Sequence, residues 1–242
     1  MWPEMRSAHN ARKEMNILDT HITVAIDGPS GAGKSTIARA AAAQLGFVYV
    51  DTGALYRAIG LAACRAGVRG DDAEGVCALL PTLRLELTYV NGTQRVLLDG
   101  EDVSEEIRLP EISKYASQVS AIPRVRAYLL DLQRGMAKTH SVIMDGRDIG
   151  TVILPDAQVK IFLTASAEKR AARRCLELRE KGQEVTHEQV LADMIARDRQ
   201  DENRAQAPLR QAEDAVRVDT STLDLAQSIE AVLRVIRDKL HK

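Results

Sequence analysis

The sequence predicts an α/β protein in which a parallel β-sheet is covered by helices on both faces. Short apolar runs of strand type alternate with segments of helical period along most of the chain, and this alternation is typical of a parallel sheet. A glycine-rich loop separates the first strand from the first helix, as in phosphate-binding proteins. One stretch alternates apolar and polar residues, which predicts a small antiparallel sheet inserted into the parallel scheme.

The first two strand and helix pairs are the clearest. A β-branched run predicts a strand at 22–26, and the segment 34–45 has helical composition. Gly46 follows that helix and can end it in the left-handed conformation. A second apolar run at 47–50 predicts a buried strand that leads into a helix at 54–66.

The middle of the chain differs from the regions around it. Residues 83–90 and 93–98 alternate apolar and polar on either side of Asn91-Gly92, the pair typical of a hairpin turn. Helices at 110–121 and 123–138 follow, and a proline suited to the first turn opens each.

The last part of the chain returns to buried strands alternating with helices. Thr186 and Gln189 have the spacing of a capping box, which places a helix start there. The predicted elements are strands at 141–145, 159–163 and 216–218, and helices at 167–181, 186–204 and from Ser221 or Thr222 to the end.

Composition and charge narrow the class of protein. Of 242 residues, 45% are hydrophobic and 28% charged, which is typical of a globular protein with a sizeable core. The net charge of −1 provides no field to attract nucleic acid or a membrane surface, and no apolar run of about 18 residues suggests a membrane span. We expect a cytoplasmic monomer with a flexible N-terminal extension over residues 1–20. The three cysteines are widely spaced, so we expect no zinc site.

The segment Gly28-x-x-x-x-Gly33-Lys34-Ser35 matches the P-loop signature in full. Its glycines allow backbone N–H groups to converge on phosphate oxygens, and the helix N-terminus adds partial positive charge. Lys34 can reach the β- and γ-phosphates, while the Ser35 hydroxyl can coordinate Mg²⁺. The loop predicts binding of a nucleoside triphosphate, a property that ATPases, GTPases, kinases and some binding modules share.

Two loops after predicted strands suggest a second ligand. Asp51-Thr52-Gly53-Ala54-Leu55-Tyr56-Arg57 offers a hydroxyl and a guanidinium, or else a helix cap with a solvated arginine. Asp145-Gly146-Arg147-Asp148 lies at the carboxyl end of a strand, where open α/β sheets bind their ligands. The alternative interpretation of that segment is a charged turn.

Two arginine clusters lie on predicted helices. Arg197, Asp201 and Arg204 have the i, i+4, i+7 spacing of one helix face. The other cluster, on the preceding helix, consists of Arg170, Arg173 and Arg174. Either could be an ion-paired solvated face, but Glu177 alone pairs poorly with three arginines. Surplus guanidinium groups suit a polyphosphate.

Taken together, these segments resemble the bacterial cytidylate kinases, which are P-loop nucleoside monophosphate (NMP) kinases. The P-loop alone does not select this family, whereas the hairpin insertion combined with ASQVS and DGRD is much more selective. The matching segments cover nearly everything after residue 20: IDGPSGAGKST (26–36), DTGALYR (51–57), LDGEDVSEEIR (98–108), ASQVSAIPRVR (116–126), DGRDIGTVILPDA (145–157) and RDRQDENRAQAPL (197–209).

The resemblance implies transfer of a phosphoryl group from ATP, with Mg²⁺, to CMP or dCMP. It implies one P-loop kinase domain at 21–242, with a core at about 21–50 and 124–242, an NMP-binding insertion at about 51–123 and a lid at about 168–186. The implied ATP-binding residues are Gly28, Pro29, Ser30, Gly31, Ala32, Gly33, Lys34, Ser35, Thr36 and Arg173. The implied CMP-binding residues are Thr52, Arg57, Ser117, Arg126, Arg147, Asp148, Arg197, Asp201 and Arg204. Lys34, Arg147 and Arg204 would be catalytic, and Ser35 would bind the metal.

The chemistry of the base fits this assignment. Cytosine carries an exocyclic amino donor beside N3 and O2 acceptors, so Asp148 can accept from the amino group while Ser117 and Arg126 donate to the ring. Uracil would place a carbonyl against the carboxylate. Two alternatives stay open: a kinase for another small acceptor such as UMP, AMP or shikimate, and a non-catalytic nucleotide-sensing P-loop protein.

Overall fold

The computed structural model describes residues 21–90, 92–180 and 182–241. Residues 1–20, predicted to be a flexible extension, and Asn91 of the predicted turn lie outside the described residues. In chain order the strands and α-helices are β1 (Thr23–Asp27), α1 (Lys34–Leu45), β2 (Val48–Asp51), α2 (Thr52–Arg65), α3 (Ala73–Leu79), β3 (Leu85–Val90), β4 (Thr93–Leu98), β5 (Glu101–Asp102), α4 (Pro110–Val119), α5 (Pro123–Thr139), β6 (Val142–Gly146), β7 (Val159–Thr164), α6 (Ala167–Glu180), α7 (His187–Glu202), β8 (Val216–Asp219) and α8 (Leu225–Leu240).

Over the described residues, five parallel strands form the main sheet in the order β2-β6-β1-β7-β8. Strand β1 is central, and Val24, Ala25 and Ile26 are fully buried. Side chains alternate between the faces of a strand, so Val24 and Ile26 pack with α1 and α8. Ala25 faces the opposite side, where Met144, side chains of α5 and the turn after β6 complete the core. The predicted parallel sheet with helices on both faces is therefore confirmed.

The second sheet is antiparallel and has the order β3-β4-β5. Its hairpin pairs Leu85 with Leu98 and Val90 with Thr93. Leu85, Val96 and Leu98 are buried against a cluster that also contains side chains of α2 and α4. This sheet confirms the predicted antiparallel insertion and lies between α3 and α4 in the chain.

Helix boundaries follow the capping residues. The predicted capping box of Thr186 with Gln189 opens α7, and Gly46 ends α1 with φ 70°. Helix α2 begins two residues earlier than predicted because the Asp51 side chain accepts a hydrogen bond from Ala54 N. Helix α8 begins later than the prediction of Ser221 or Thr222, which was wrong, because Asp224 forms a capping box there.

Several short elements were not predicted. They are α3, β5, two 3₁₀ turns at Leu80–Thr82 and Glu106–Arg108, and a π-helical turn at Ile149–Ile153 directly after β6. None of the described helices has the length and apolar character needed to cross a bilayer.

Candidate active site

The phosphate loop joins β1 to α1 at the carboxyl edge of the main sheet. Gly28, Gly31 and Gly33 have φ values of 153°, 74° and 84°, a region that favours glycine. At Gly28 a Cβ atom would lie 1.9 Å from the carbonyl oxygen of Leu163, so the chain can pass over β7 only with glycine at this position. The loop thereby brings successive backbone N–H groups to the N-terminus of α1, where an anion is favoured.

Lys34 is 5% exposed, and its Nζ donates to the Pro29 carbonyl at 2.7 Å. Burial, reinforced by the positive charge of Arg147, lowers the pKa of Lys34 to about 7. A buried ammonium of this kind gains most from a nearby anion. Lys34 therefore lies across the loop in a position where a bound anion would stabilise its charged form.

Ser35 contacts a carboxylate at the end of β6. Its hydroxyl donates to Asp145 Oδ2 at 2.9 Å, and the Tyr49 hydroxyl donates to Asp145 Oδ1 at 2.9 Å. Burial, together with the charge of Asp51, raises the pKa of Asp145 to about 6. A hydroxyl and a carboxylate beside a phosphate loop are the hard oxygen ligands that Mg²⁺ prefers, so the donor set present here fits that ion.

The segment after β2 places a hydroxyl and an arginine at the same edge. Thr52 is 3% exposed, and its hydroxyl donates to the Asp145 carbonyl at 2.8 Å. Arg57 donates to Asp51 at 2.7 Å. Burial disfavours the Asp51 carboxylate, but Arg57 and Arg108 outweigh it and hold its pKa below the usual value.

A second buried ion pair joins α5 to the turn after β6. Arg126 pairs with Asp148, which is 3% exposed. The Arg126 guanidinium also lies over the ring of Tyr56, 5.6 Å from its centroid, and donates to the Ser120 carbonyl at 3.3 Å. Burial raises the pKa of Asp148 above its usual value, although Arg126 and two further arginines favour its charged form. Nearby, the Ser117 hydroxyl of α4 donates to Gln200 of α7 at 3.1 Å.

Asp201 is the centre of an arginine cluster. It is 1% exposed, accepts from Arg147 Nε at 2.9 Å and pairs with Arg204. Burial alone would raise the pKa of Asp201, but Arg147 and Arg204 hold it below the usual value. Arg197 lies in the same cluster, where burial and the charge of Arg147 lower its pKa to about 10.

Together with Arg57, this cluster contains more hydrogen-bond donors than the protein satisfies. Three buried guanidinium nitrogens have no hydrogen-bond partner among the described residues: Nε of Arg57, of Arg197 and of Arg204. Buried donors are rarely left unpaired, and guanidinium groups suit phosphate oxygens. These unpaired donors can therefore bind an anionic ligand.

One cleft of about 1350 Å³ joins the phosphate loop to these arginines. The predicted ATP-binding residues that line it are Ser30, Gly31, Gly33, Lys34, Ser35, Thr36 and Arg173. The predicted CMP-binding residues that line it are Thr52, Arg57, Ser117, Arg126, Arg147, Asp148, Arg197 and Arg204. Gly28, Pro29, Ala32 and Asp201 do not line it, and Asp201 instead binds two of the arginines that do.

The interpretation of the α6 arginines as surplus charge was wrong for Arg170 and Arg174, which have acidic partners, whereas Arg173 pairs with no carboxylate among the described residues. Arg170 is buried and bound to Asp198 through both terminal nitrogens. Arg173 donates to the Thr220 carbonyl at 2.8 Å, and Arg174 pairs with Glu177. These partners were missed because Asp198 and Thr220 are distant in sequence.

Two other residues of the site were missed. Asp27 accepts from the backbone N–H groups of Ile149 and Gly150 at 2.7 and 2.8 Å, and burial raises its pKa to about 7. Its position just before Gly28 was the available signal. Tyr49, the partner of Asp145, stands in an apolar strand with nothing local to mark it.

A phosphate loop that faces clustered arginines across one cleft defines the class of protein, a P-loop kinase. Such enzymes hold a triphosphate on the loop and neutralise the transferring group with arginines. The chain belongs to the cytidylate kinase family, whose model matches residues 24–238.

Individual relatives cover nearly the whole chain. A cytidylate kinase from Caldicellulosiruptor saccharolyticus is 50% identical over 214 residues, which are 88% of this chain and 95% of the relative. One from Syntrophotalea carbinolica is 49% identical over 222 residues, or 92% of this chain and 94% of the relative. Among solved structures, an uncharacterized protein from Eubacterium ventriosum has a TM-score of 0.50 at 12% identity, covering 90% of this chain and 99% of that one. The similarity to the Eubacterium ventriosum structure supports the fold alone.

Proposed function

We propose that the protein catalyses ATP + CMP ⇌ ADP + CDP, with dCMP also accepted. The observation that carries the proposal is the cleft in which the phosphate loop faces buried arginine nitrogens that lack protein partners. The family supplies ATP as the donor. The acceptor follows from the groups opposite the loop.

On the donor side, the loop 28–36 binds the β- and γ-phosphates through its backbone N–H groups. Lys34 spans the two phosphates and regains its full charge there, because the bound anion offsets the burial that lowers its pKa. Arg173 borders the same end of the cleft and covers the bound ATP.

The metal is Mg²⁺, bound together with the phosphates. Ser35 would be its protein ligand, and Asp145, which contacts the Ser35 hydroxyl, would orient that ligand. When bound, the ion would neutralise negative charge on the phosphate oxygens. Tyr49 fixes Asp145 from the other side.

On the acceptor side, Asp148 accepts a hydrogen bond from the exocyclic amino group of cytosine. Ser117 and Arg126 donate to the ring acceptors, and Thr52 lies beside them. Arg57, Arg147, Arg197 and Arg204 bind the phosphate. Asp201, whose two oxygens accept from Arg147 and Arg204, orients these arginines, and its proposed contact with the ribose hydroxyls requires it to become exposed to the cleft when CMP binds. Uracil would set a carbonyl against Asp148, and a site built on such polar partners discriminates by on the order of 100-fold or more.

Transfer needs no strong general base, because the acceptor is already an anionic phosphate oxygen. That oxygen attacks the γ-phosphorus in line, the bond from the γ-phosphorus to the β–γ bridging oxygen breaks, and ADP leaves with the bond electrons. Lys34, Arg147 and Arg204 neutralise the oxygens of the group in transit. The remaining role of the protein is to hold the two phosphates in line.

Three parts of the chain would have separate roles in binding the two substrates. The core at about 21–50 and 124–242 holds the phosphate loop, the insertion at about 51–123 holds the acceptor, and the lid at about 168–186 covers ATP. Closure of the insertion and lid would exclude water, which otherwise competes as acceptor. Hydrolysis of ATP without CMP is therefore expected to be slow.

The test is a coupled assay of ADP release with CMP, dCMP, UMP, AMP or no acceptor. We expect turnover with CMP and dCMP to exceed that with UMP or AMP by on the order of 100-fold, and very little release without acceptor. A clear preference for UMP or AMP would refute the assignment of the base site. Equal release with and without CMP would refute phosphoryl transfer.

A further inference from the structure

Arg170 connects the phosphate loop to two helices. Its Nη1 and Nη2 donate to the two carboxylate oxygens of Asp198 in α7, at 3.1 and 2.6 Å. Nε donates to the Ala165 carbonyl at 2.9 Å, and Nη1 also donates to the Ser30 carbonyl at 2.9 Å. A bidentate pair of this kind fixes the plane of the guanidinium. Arg170 is 5% exposed, so it is a buried link rather than a surface charge.

The contact with Ser30 determines how the next peptide group points. The Ser30 carbonyl and the Gly31 N–H belong to one planar trans peptide, so they point in opposite directions. Ser30 and Gly31 line the cleft, whereas Arg170 lies behind the loop and does not. Because Arg170 holds the Ser30 oxygen on its own side, the Gly31 N–H is directed toward the cleft.

The loop also rests directly on the two helices. A Cβ atom at Gly31 would lie 3.0 Å from Met194 Cε of α7 and 3.4 Å from Arg170 Cβ of α6. Gly31 has φ 74°, so it combines an unusual backbone conformation with close packing. A shift of α7 would consequently move this part of the loop.

The same helix carries part of the acceptor site. Asp198 follows Arg197 directly and precedes Asp201 by one helical turn. The Arg170–Asp198 pair therefore joins the loop that binds the donor phosphates to the helix whose Arg197 lines the acceptor side of the cleft and whose Asp201 holds Arg147 and Arg204.

We propose that Arg170 and Asp198 are positioning residues: they aim the Gly31 N–H at the donor phosphates and keep α7 in register with the phosphate loop. This inference deepens the proposed function. The part that concerns α7 and the acceptor rests on the proposed function, whereas the part that concerns the Gly31 N–H depends only on nucleotide binding to the loop.

The test compares Arg170→Lys and Asp198→Asn with the wild-type protein. Lysine has one point charge and cannot hold Asp198 and the Ser30 carbonyl together, while asparagine retains the shape of Asp198. The matched control is Asp71→Asn, which alters the exposed bidentate pair of Arg69 and Asp71 away from the cleft. Melting curves establish that each variant is folded at the assay temperature.

The first measurement is the Kd for ADP by calorimetry. Misdirecting one charge-assisted donor should raise it roughly 10- to 100-fold in Arg170→Lys and about fivefold or more in Asp198→Asn. The double variant should be little worse than Arg170→Lys, because both changes break one link. Asp71→Asn should bind ADP as the wild type does.

The second measurement is the factor by which bound ADP changes the affinity for CMP. We expect this factor to move toward one in both link variants and to stay unchanged in the control. A link that is only structural would lower the melting temperature but leave both quantities unchanged in the folded protein, and that result would overturn the proposal. Wild-type protein that binds ADP but does not phosphorylate CMP would refute the proposed function, while the ADP comparison would still test the link.

Discussion

Asp148→Asn is the most informative substitution for the acceptor site. Asp148 is 3% exposed and paired with Arg126, and its carboxylate is proposed to accept from the amino group of cytosine. Asparagine keeps the shape and one oxygen acceptor but loses the charge and gains two N–H donors. The substitution therefore changes the chemistry of base recognition with little change in volume.

The expected magnitude follows from the buried, charged contact. A hydrogen bond to a charged group contributes about 1.5–3 kcal/mol, so the KM for CMP should rise roughly 10- to 150-fold. The new amide can donate to the O4 carbonyl of uracil, so the variant should also use UMP better. The preference for CMP over UMP, measured as the ratio of their kcat/KM values, should therefore fall by a larger factor than the KM for CMP rises. The KM for ATP should change by less than about threefold, because effects at well-separated sites are largely independent.

Steady-state kinetics with CMP, UMP and ATP varied in turn measure these effects. Arg126 loses its charged partner, so the variant should also be less stable, by about 1–3 kcal/mol, and assays belong well below its melting temperature. Asp156→Asn is the control, because Asp156 is exposed on the same segment after β6. Equal increases in both KM values, or an unchanged ratio of CMP to UMP turnover, would refute the placement of Asp148 beside the base.

Three further predictions concern Lys34 of the phosphate loop and Arg204 of the arginine cluster. Lys34→Ala should lower kcat by about 10³-fold or more, since it removes the loop cation, and near-normal kcat would refute the role of Lys34. Arg204→Ala should lower kcat by roughly 10²- to 10³-fold with a smaller effect on the KM for ATP, whereas an unchanged kcat would make this face of the site merely structural. ADP binding near pH 8 should take up protons, because the free protein holds the pKa of Lys34 at about 7 and a bound anion raises it again. Calorimetry in buffers of different ionisation enthalpy measures this uptake, which Lys34→Ala should abolish; proton release by the wild type would contradict the expected sign.

Local sequence signals were sufficient for much of the fold. Helix α1 has the predicted bounds because glycines of the phosphate loop and Gly46 mark its two ends. The hairpin followed from alternation of side chains. The π-helical turn at Ile149–Ile153 had no such signal, because its first N–H groups are held by Asp27, more than 120 residues away.

The site shows the same division between local and distant contacts. The helical spacing of Arg197, Asp201 and Arg204 predicted one shared helix face. Helix α7 ends at Glu202, so Arg204 lies just beyond the helix, where it still pairs with Asp201. The partner that completes the cluster, Arg147, comes from the turn after β6. Arg170 was misinterpreted for the same reason, since its acid Asp198 lies on another helix. Spacing reveals neighbours within a helix, whereas ion pairs between elements depend on the packed fold.

The most direct test of the central claim follows the phosphoryl group itself. ATP carrying a radioactive γ-phosphorus is incubated with the protein, Mg²⁺ and CMP, and the products are separated by chromatography. The proposed reaction predicts that the label moves into CDP, with one ADP formed for each CDP. Label that remained in ATP, or that appeared as inorganic phosphate at the same rate with and without CMP, would contradict it.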